Sequence, residues 1–216
     1  MRPTTWYEGR TSLDLLQGAA WAWIGLRSGD GLHRLHSDLL VALDRLFIEL
    51  RWAGVRRVAL SGAAWMTGRG HHFSAGADLH EVGALDAVSA EPFARRGQRV
   101  MNHLGWSGWR SLTLISGVAM GGGCDLALHG RERWGVAADA SGKGDLRLAH
   151  PAARHGILTG FGGTVRLPEL LGPDADRLFR HFETWDSEAA LRAGALHRRL
   201  EPEAVKAAVE GWLSRP

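Results

Sequence analysis

Three segments of the chain combine glycine with residues able to do chemistry. They are His72-Phe73-Ser74-Ala75-Gly76-Ala77-Asp78-Leu79, the run from Ile115 through Gly121-Gly122-Gly123-Cys124-Asp125 to Ala127, and the run from Gly160 to Gly172. Small residues at 75–77 and 121–123 let a ligand approach the main chain closely. Backbone N–H groups fixed at such a place stabilise negative charge forming on an oxygen, because they need not reorganise during a reaction. A helix opening after Gly122 adds its positive dipole end. Asp125 follows at once. A carboxylate there suits acid–base work, and it equally suits the first turn of a helix. Cys124 reads as a small buried apolar residue, since no activating base accompanies it. Histidine titrates near neutral pH, and His71, His72, His80, His150 and His155 lie close to these segments in sequence. Each of them also fits a surface or structural role. His33 and His36 are three residues apart without a third ligand, so no metal is predicted.

The elements that must hold these segments alternate between strand and helix. Ala20–Arg27 reads as a strand, and Leu35–Trp52 carries apolar residues at helical spacing (Leu35, Leu39, Leu43, Leu46, Phe47, Leu50). Val55–Leu60 is a second strand, followed by the first glycine-containing loop, a short helix and a longer one from about Pro92 to Leu104. Leu112–Ser116 is a third strand that runs into the glycine cluster, and Cys124–His129 continues as a helix. Arg133–Ala138 and Asp145–Leu148 are short strand candidates. From Gly162 the pattern is helical to the end, broken at Gly172-Pro173 and Glu201-Pro202. This order predicts an α/β domain with a helical C-terminal region.

The 216 residues, 45% hydrophobic and 23% charged, fit a globular chain and exclude a disordered one. One cysteine excludes an intramolecular disulfide and points to a reducing compartment. The first fifteen residues hold Glu8 and Asp14, unlike a signal peptide, and no apolar run suits a membrane span. The expectation is a soluble cytoplasmic protein with no membrane partner. The net charge of +3 and the pI of about 9.7 come from scattered arginines. A basic surface could favour a polyanion, but no helix-turn-helix, zinc-knuckle or aromatic-basic motif accompanies it, so no nucleic-acid partner is expected. The ten tryptophans show no period and are expected in the core or at interfaces.

In their order and spacing the three segments resemble the crotonase (enoyl-CoA hydratase/isomerase) superfamily. Its members carry a GxxFSAGADL loop, a GxAxGGGxELA strand-to-helix turn and a PGFGGTxRLxxxxG segment. The resemblance runs from roughly Gly25 to Trp212. It implies an α/β crotonase-like (ClpP/crotonase) fold, a repeated ββα superhelix with a shortened α-helical C-terminal region. On this reading 1–172 form the core and 173–216 the helical region. It also implies that the Ala77 and Gly122 N–H groups form an oxyanion hole for an acyl-CoA or carrier-protein thioester. Ser74, Ala75, Ala77, Gly121 and Gly122 would contact the coenzyme A portion or the thioester, and Asp125 would be the catalytic carboxylate. No cofactor is required, coenzyme A entering as part of the substrate. A homo-oligomer, trimer or hexamer, is the family habit.

Three positions depart from the family pattern. Asp125 stands where the family usually has glutamate, so its oxygens retreat by roughly 1.5 Å, and a ~1 Å misplacement can cost about 100-fold. The second family glutamate falls on Ala152, beside Pro151, and alanine has no proton to give. Thr159 also replaces a usual proline. Hydratase/isomerase-type lyase chemistry is the leading expectation. The alternatives are decarboxylation or thioester hydrolysis within the same superfamily, or a non-catalytic thioester-binding or assembly subunit.

Overall fold

The computed structural model describes residues 2–63, 65, 72–106, 108–142 and 144–215. Three antiparallel strands open the chain: β1 (Thr4–Tyr7), β2 (Ser12–Gln17) and β3 (Trp21–Arg27). From β3 onward the sheet is parallel. β4 (Arg57–Gly62), β5 (Arg110–Ile115), β7 (Glu132–Val136) and β9 (Arg198–Leu200) follow side by side, giving the order β1-β2-β3-β4-β5-β7-β9. Helix α1 (Ser37–Trp52) connects β3 to β4. Helices α2 (Leu79–Gly83) and α3 (Ala90–Trp106) lie between β4 and β5. A parallel sheet covered on both faces needs strands apolar on both sides, and all six residues of β4 are buried.

Alternate residues of these strands feed two cores. Ile24, Leu26, Val58, Leu60 and Ile115 pack in the larger one beneath α1 and α3. Trp23, Ala59, Leu112, Leu114 and Trp134 face the other way, against Val205, Val209 and Trp212 of the last helix, α8 (Val205–Leu213). Trp23, Trp134, Trp185 and Trp212 are fully buried, whereas Trp52 stays 87% exposed. Helix α1 buries Leu39, Leu40, Leu43, Leu46, Phe47 and Leu50. At roughly 1.5–3 kcal/mol for each buried side chain, this face outweighs the His36 cap, typically ~1 kcal/mol. Packing therefore fixes the helix, and the cap trims its start.

The chain leaves the main sheet at Gly117, whose φ of 52° only glycine adopts readily. Strand β6 (Val118–Met120) then pairs with β8 (Arg147–Ala149) in a separate two-stranded sheet, and helix α4 (Gly122–Leu128) begins at once. A 3₁₀ turn, Pro151–His155, follows β8, and α5 (Gly163–Leu171), α6 (Ala175–Phe179) and α7 (Ser187–Arg192) come after it. The C-terminal stretch is not wholly helical, contrary to the sequence pattern. Arg198–Leu200 forms β9, parallel to β7 through the Trp134–Arg198 and Val136–Leu200 pairs. Residues after 172 thus share the main sheet. Among the described residues no helix is long and apolar enough to cross a membrane.

Candidate active site

Two loops meet where β6 ends. The 72–78 loop is stitched along β6: the Phe73 and Ser74 amides donate to Val118 O at 3.0 and 2.9 Å, and the Met120 amide donates to Ser74 O at 3.0 Å. On its other side the Ala75 amide donates to Leu32 O at 2.7 Å, and the Leu35 amide donates to Gly76 O at 2.8 Å. The Ser74 hydroxyl donates to His33 O at 2.7 Å and accepts the Gly76 amide at 3.1 Å. Asp78 caps α2 by accepting the His80 amide and is paired with Arg10 at 2.9 Å. In the second loop the Gly121 amide donates to Ala149 O at 2.9 Å. Hydrogen bonds use up the amides of residues 73–76, 78, 120 and 121. Among the described residues, the N–H groups of Ala77 and Gly122 have no acceptor. The two lie together: a methyl built on Gly122 would stand 3.5 Å from the Ala77 nitrogen, and one built on Gly76 would stand 3.1 Å from the Gly122 nitrogen.

Both loops border a cavity of about 330 Å³, in the range of small-molecule sites. Ala75, Ala77, Gly121 and Gly122 form one side. Leu79, Val82, Leu85 and Phe93 from α2, α3 and their connection make it apolar, together with Met120 and Phe161. His150, Pro151, Ala152, Leu158 and Thr159 close the far wall. Asp125 lies behind that wall with no exposed surface. The Thr159 hydroxyl donates to Asp125 Oδ2, and the Phe161 amide in turn donates to the Thr159 oxygen at 3.1 Å. His150 Nε2 comes to 3.3 Å from Asp125 Oδ1, yet neither atom makes a hydrogen bond. The approach is close, but it lacks the alignment that a bond needs.

A family profile described as enoyl-CoA hydratase/isomerase matches residues 56–209, which span both loops and the far wall. The chain belongs to this family. A crotonyl-CoA hydratase from Syntrophomonas wolfei is 34% identical over 140 residues, which are 64% of this chain and 51% of that protein. A short-chain-enoyl-CoA hydratase from Clostridium acetobutylicum is 30% identical over 173 residues, 79% of this chain and 62% of that protein. The chain therefore spans about half to three-fifths of the length of these curated relatives. The crystal structure of an enoyl-CoA hydratase from Thermoplasma volcanium superimposes with a TM-score of 0.81 at 23% identity, over 94% of this chain and 78% of that one, and it shares the fold.

In this enoyl-CoA hydratase/isomerase family member the residues singled out from sequence separate into two groups. Ala75, Ala77, Gly121 and Gly122 reach the cavity. Ser74 and Asp125 are buried behind it, Ser74 as a brace of its own loop. Cys124 is fully buried, and burial, then the neighbouring Asp125, pushes its thiol pKa well up, as expected of an inert core cysteine. His36 caps α1, and His80 is an exposed residue of α2. His71 and the His155 side chain lie outside the described residues. The apolar wall from α2 and α3 escaped the sequence reading. Its signal was present in the spacing of Leu79, Val82 and Leu85, but α2 alone shows no buried face, because the cavity itself takes the place of packing.

Burial also places a pH-sensitive group under the first loop. His33 is 4% exposed, and burial, then the neighbouring His72, lowers its pKa to about 4, against a smaller raising effect of Asp30. In the unfolded chain the value is about 6.5. Between these values the unfolded chain holds a proton that the folded chain refuses, so stability falls as pH drops from about 6.5 towards 4. The loss is at most on the order of 3 kcal/mol. Urea midpoints measured between pH 7 and pH 4.5 should show this decline. His33→Asn, tolerant of the positive φ of 46° found there, should flatten it. An unchanged slope in the variant would assign the decline to other groups.

Proposed function

We propose that the chain binds an acyl-CoA or carrier-protein thioester in the 330 Å³ cavity and stabilises an oxyanion on the thioester oxygen through the Ala77 and Gly122 amides. The observation that carries this reading is the convergence of two acceptor-free amides at the edge of an apolar cavity. An amide pair already in place stabilises developing charge without reorganising, and the apolar wall suits an acyl chain. Hydratase/isomerase-type chemistry is what the family profile is described by, and the two curated relatives are named as hydratases. The far wall narrows it. Ala152 lines the cavity where the resemblance puts a second glutamate, and Asp125 does not reach it. Reactions needing one base, such as double-bond migration, are therefore favoured over efficient addition of water, which calls for a donor and an acceptor on the same double bond.

The test is a panel of saturated and unsaturated acyl-CoAs, first by thermal shift and then by turnover followed in the enoyl-thioester absorbance. A ligand at 100 times its Kd should stabilise the fold by about 2.7 kcal/mol. Double-bond migration exceeding hydration is the expected outcome. Hydration faster than migration would contradict the one-base assignment, and a panel without any stabilisation would overturn the thioester reading.

A further inference from the structure

The two loops bring amides to the cavity but no side chain able to move a proton there. Among the described residues lining the cavity, His150 carries the one acid–base side chain; the rest of the lining is aliphatic or aromatic side chains, glycine, the Met120 thioether and the Thr159 hydroxyl. The imidazole is 4% exposed and packs on Phe179 with ring centroids 4.5 Å apart. Its Nε2 and the Asp125 Oδ1 beside it are both buried without a hydrogen-bond partner, 3.3 Å from each other. Unpaired buried polar atoms are costly, and two of them facing each other at this wall call for an explanation.

We propose that His150 is the catalytic acid–base residue of this cavity and that Asp125 is its positioning residue. The proposal rests on the thioester reading above and adds the group that exchanges the proton. A carboxyl oxygen beside Nε2 favours the tautomer with its proton on that nitrogen. The lone pair is then on Nδ1. That nitrogen takes a proton from the carbon next to the thioester carbonyl. The C–H electron pair becomes the enolate double bond, and the carbonyl π pair moves to oxygen, against the Ala77 and Gly122 amides. Return of the proton to the same carbon, or to the far end of a conjugated chain, restores the carbonyl and the neutral imidazole. No other reactant is consumed. Asp125, without exposed surface and held by Thr159, never touches the substrate.

The measurement is deuterium uptake at the carbon next to the carbonyl of butyryl-CoA in D₂O, read by mass spectrometry beside calorimetric binding of the same compound. Wild type should bind and exchange. His150→Gln should bind within about threefold yet exchange about 100-fold more slowly. His150→Ala should be equally slow and regain exchange when free imidazole is added, which a merely structural role for the ring would not produce. In Asp125→Asn the nitrogen-15 spectrum of His150 should change from one tautomer to a mixture, with exchange reduced and binding kept. Should His150→Gln fail to fold, this spectrum and the Asp125→Asn exchange rate decide the case alone. Exchange at the wild-type rate in His150→Gln, or binding by wild type without exchange, overturns the role of His150 and leaves thioester binding standing. Absence of butyryl-CoA binding by wild type overturns the reading on which the proposal rests.

Discussion

Gly122→Pro is expected to lower thioester turnover by about 100- to 1,000-fold, the usual consequence of removing one oxyanion-hole donor. The substitution deletes the acceptor-free amide hydrogen and leaves the helix in place. Gly122 is the first residue of α4, a position where proline is well tolerated because its missing N–H had no partner in the helix. Its Cβ would come within 2.7 Å of the Phe161 ring, so that ring must turn. Gly122→Ala meets the same ring and keeps the N–H. The ratio of the two variants therefore isolates the hydrogen itself. Equal kcat/KM values for proline and alanine would show that the amide takes no part.

The second large effect is on stability. Gly76 has φ of 92°, and a methyl built on it overlaps the Met120 carbonyl oxygen. Leaving the left-handed region to a residue with a Cβ costs ~1–2 kcal/mol, and forcing atoms into a filled place costs ~1–3 kcal/mol. Gly76→Ala should therefore lose about 2–5 kcal/mol, a large share of the roughly 5–15 kcal/mol that holds a domain folded. Relief of the overlap would push the two loops apart, so thioester binding should weaken as well. Urea denaturation should report the loss as a lower midpoint at unchanged slope. An unaltered midpoint would contradict the close approach of the loops.

Much of this architecture is legible in the residues. The α1 pattern places a helix over Leu35–Trp52, and the helix runs Ser37–Trp52. The glycine segments give the right strand-to-helix turn, since only glycine meets the backbone demands at 76 and 121. Other features leave little trace. In β9 two of three residues are arginines, and only its pairing with β7 makes it a strand. The opening strand β1 is only four residues long. The fate of Asp125 was hidden for a different reason. Every residue of α4 is buried, so no polar face shows which side a carboxylate takes. His150 stood among five candidate histidines without distinction, because its partnership with Asp125 spans 25 residues and exists only in the folded chain.

The measurement closest to the central claim is the isotope-edited infrared spectrum of crotonyl-CoA, labelled with carbon-13 at the carbonyl, bound to the protein. Two amides donating to the thioester oxygen weaken its C=O bond. The carbonyl stretch of the bound ligand should therefore fall below that of the free compound in water, and most of the fall should be lost in Gly122→Pro. A bound carbonyl at the free frequency, or a shift that survives in Gly122→Pro, would contradict the assignment of the Ala77 and Gly122 amides to the thioester oxygen.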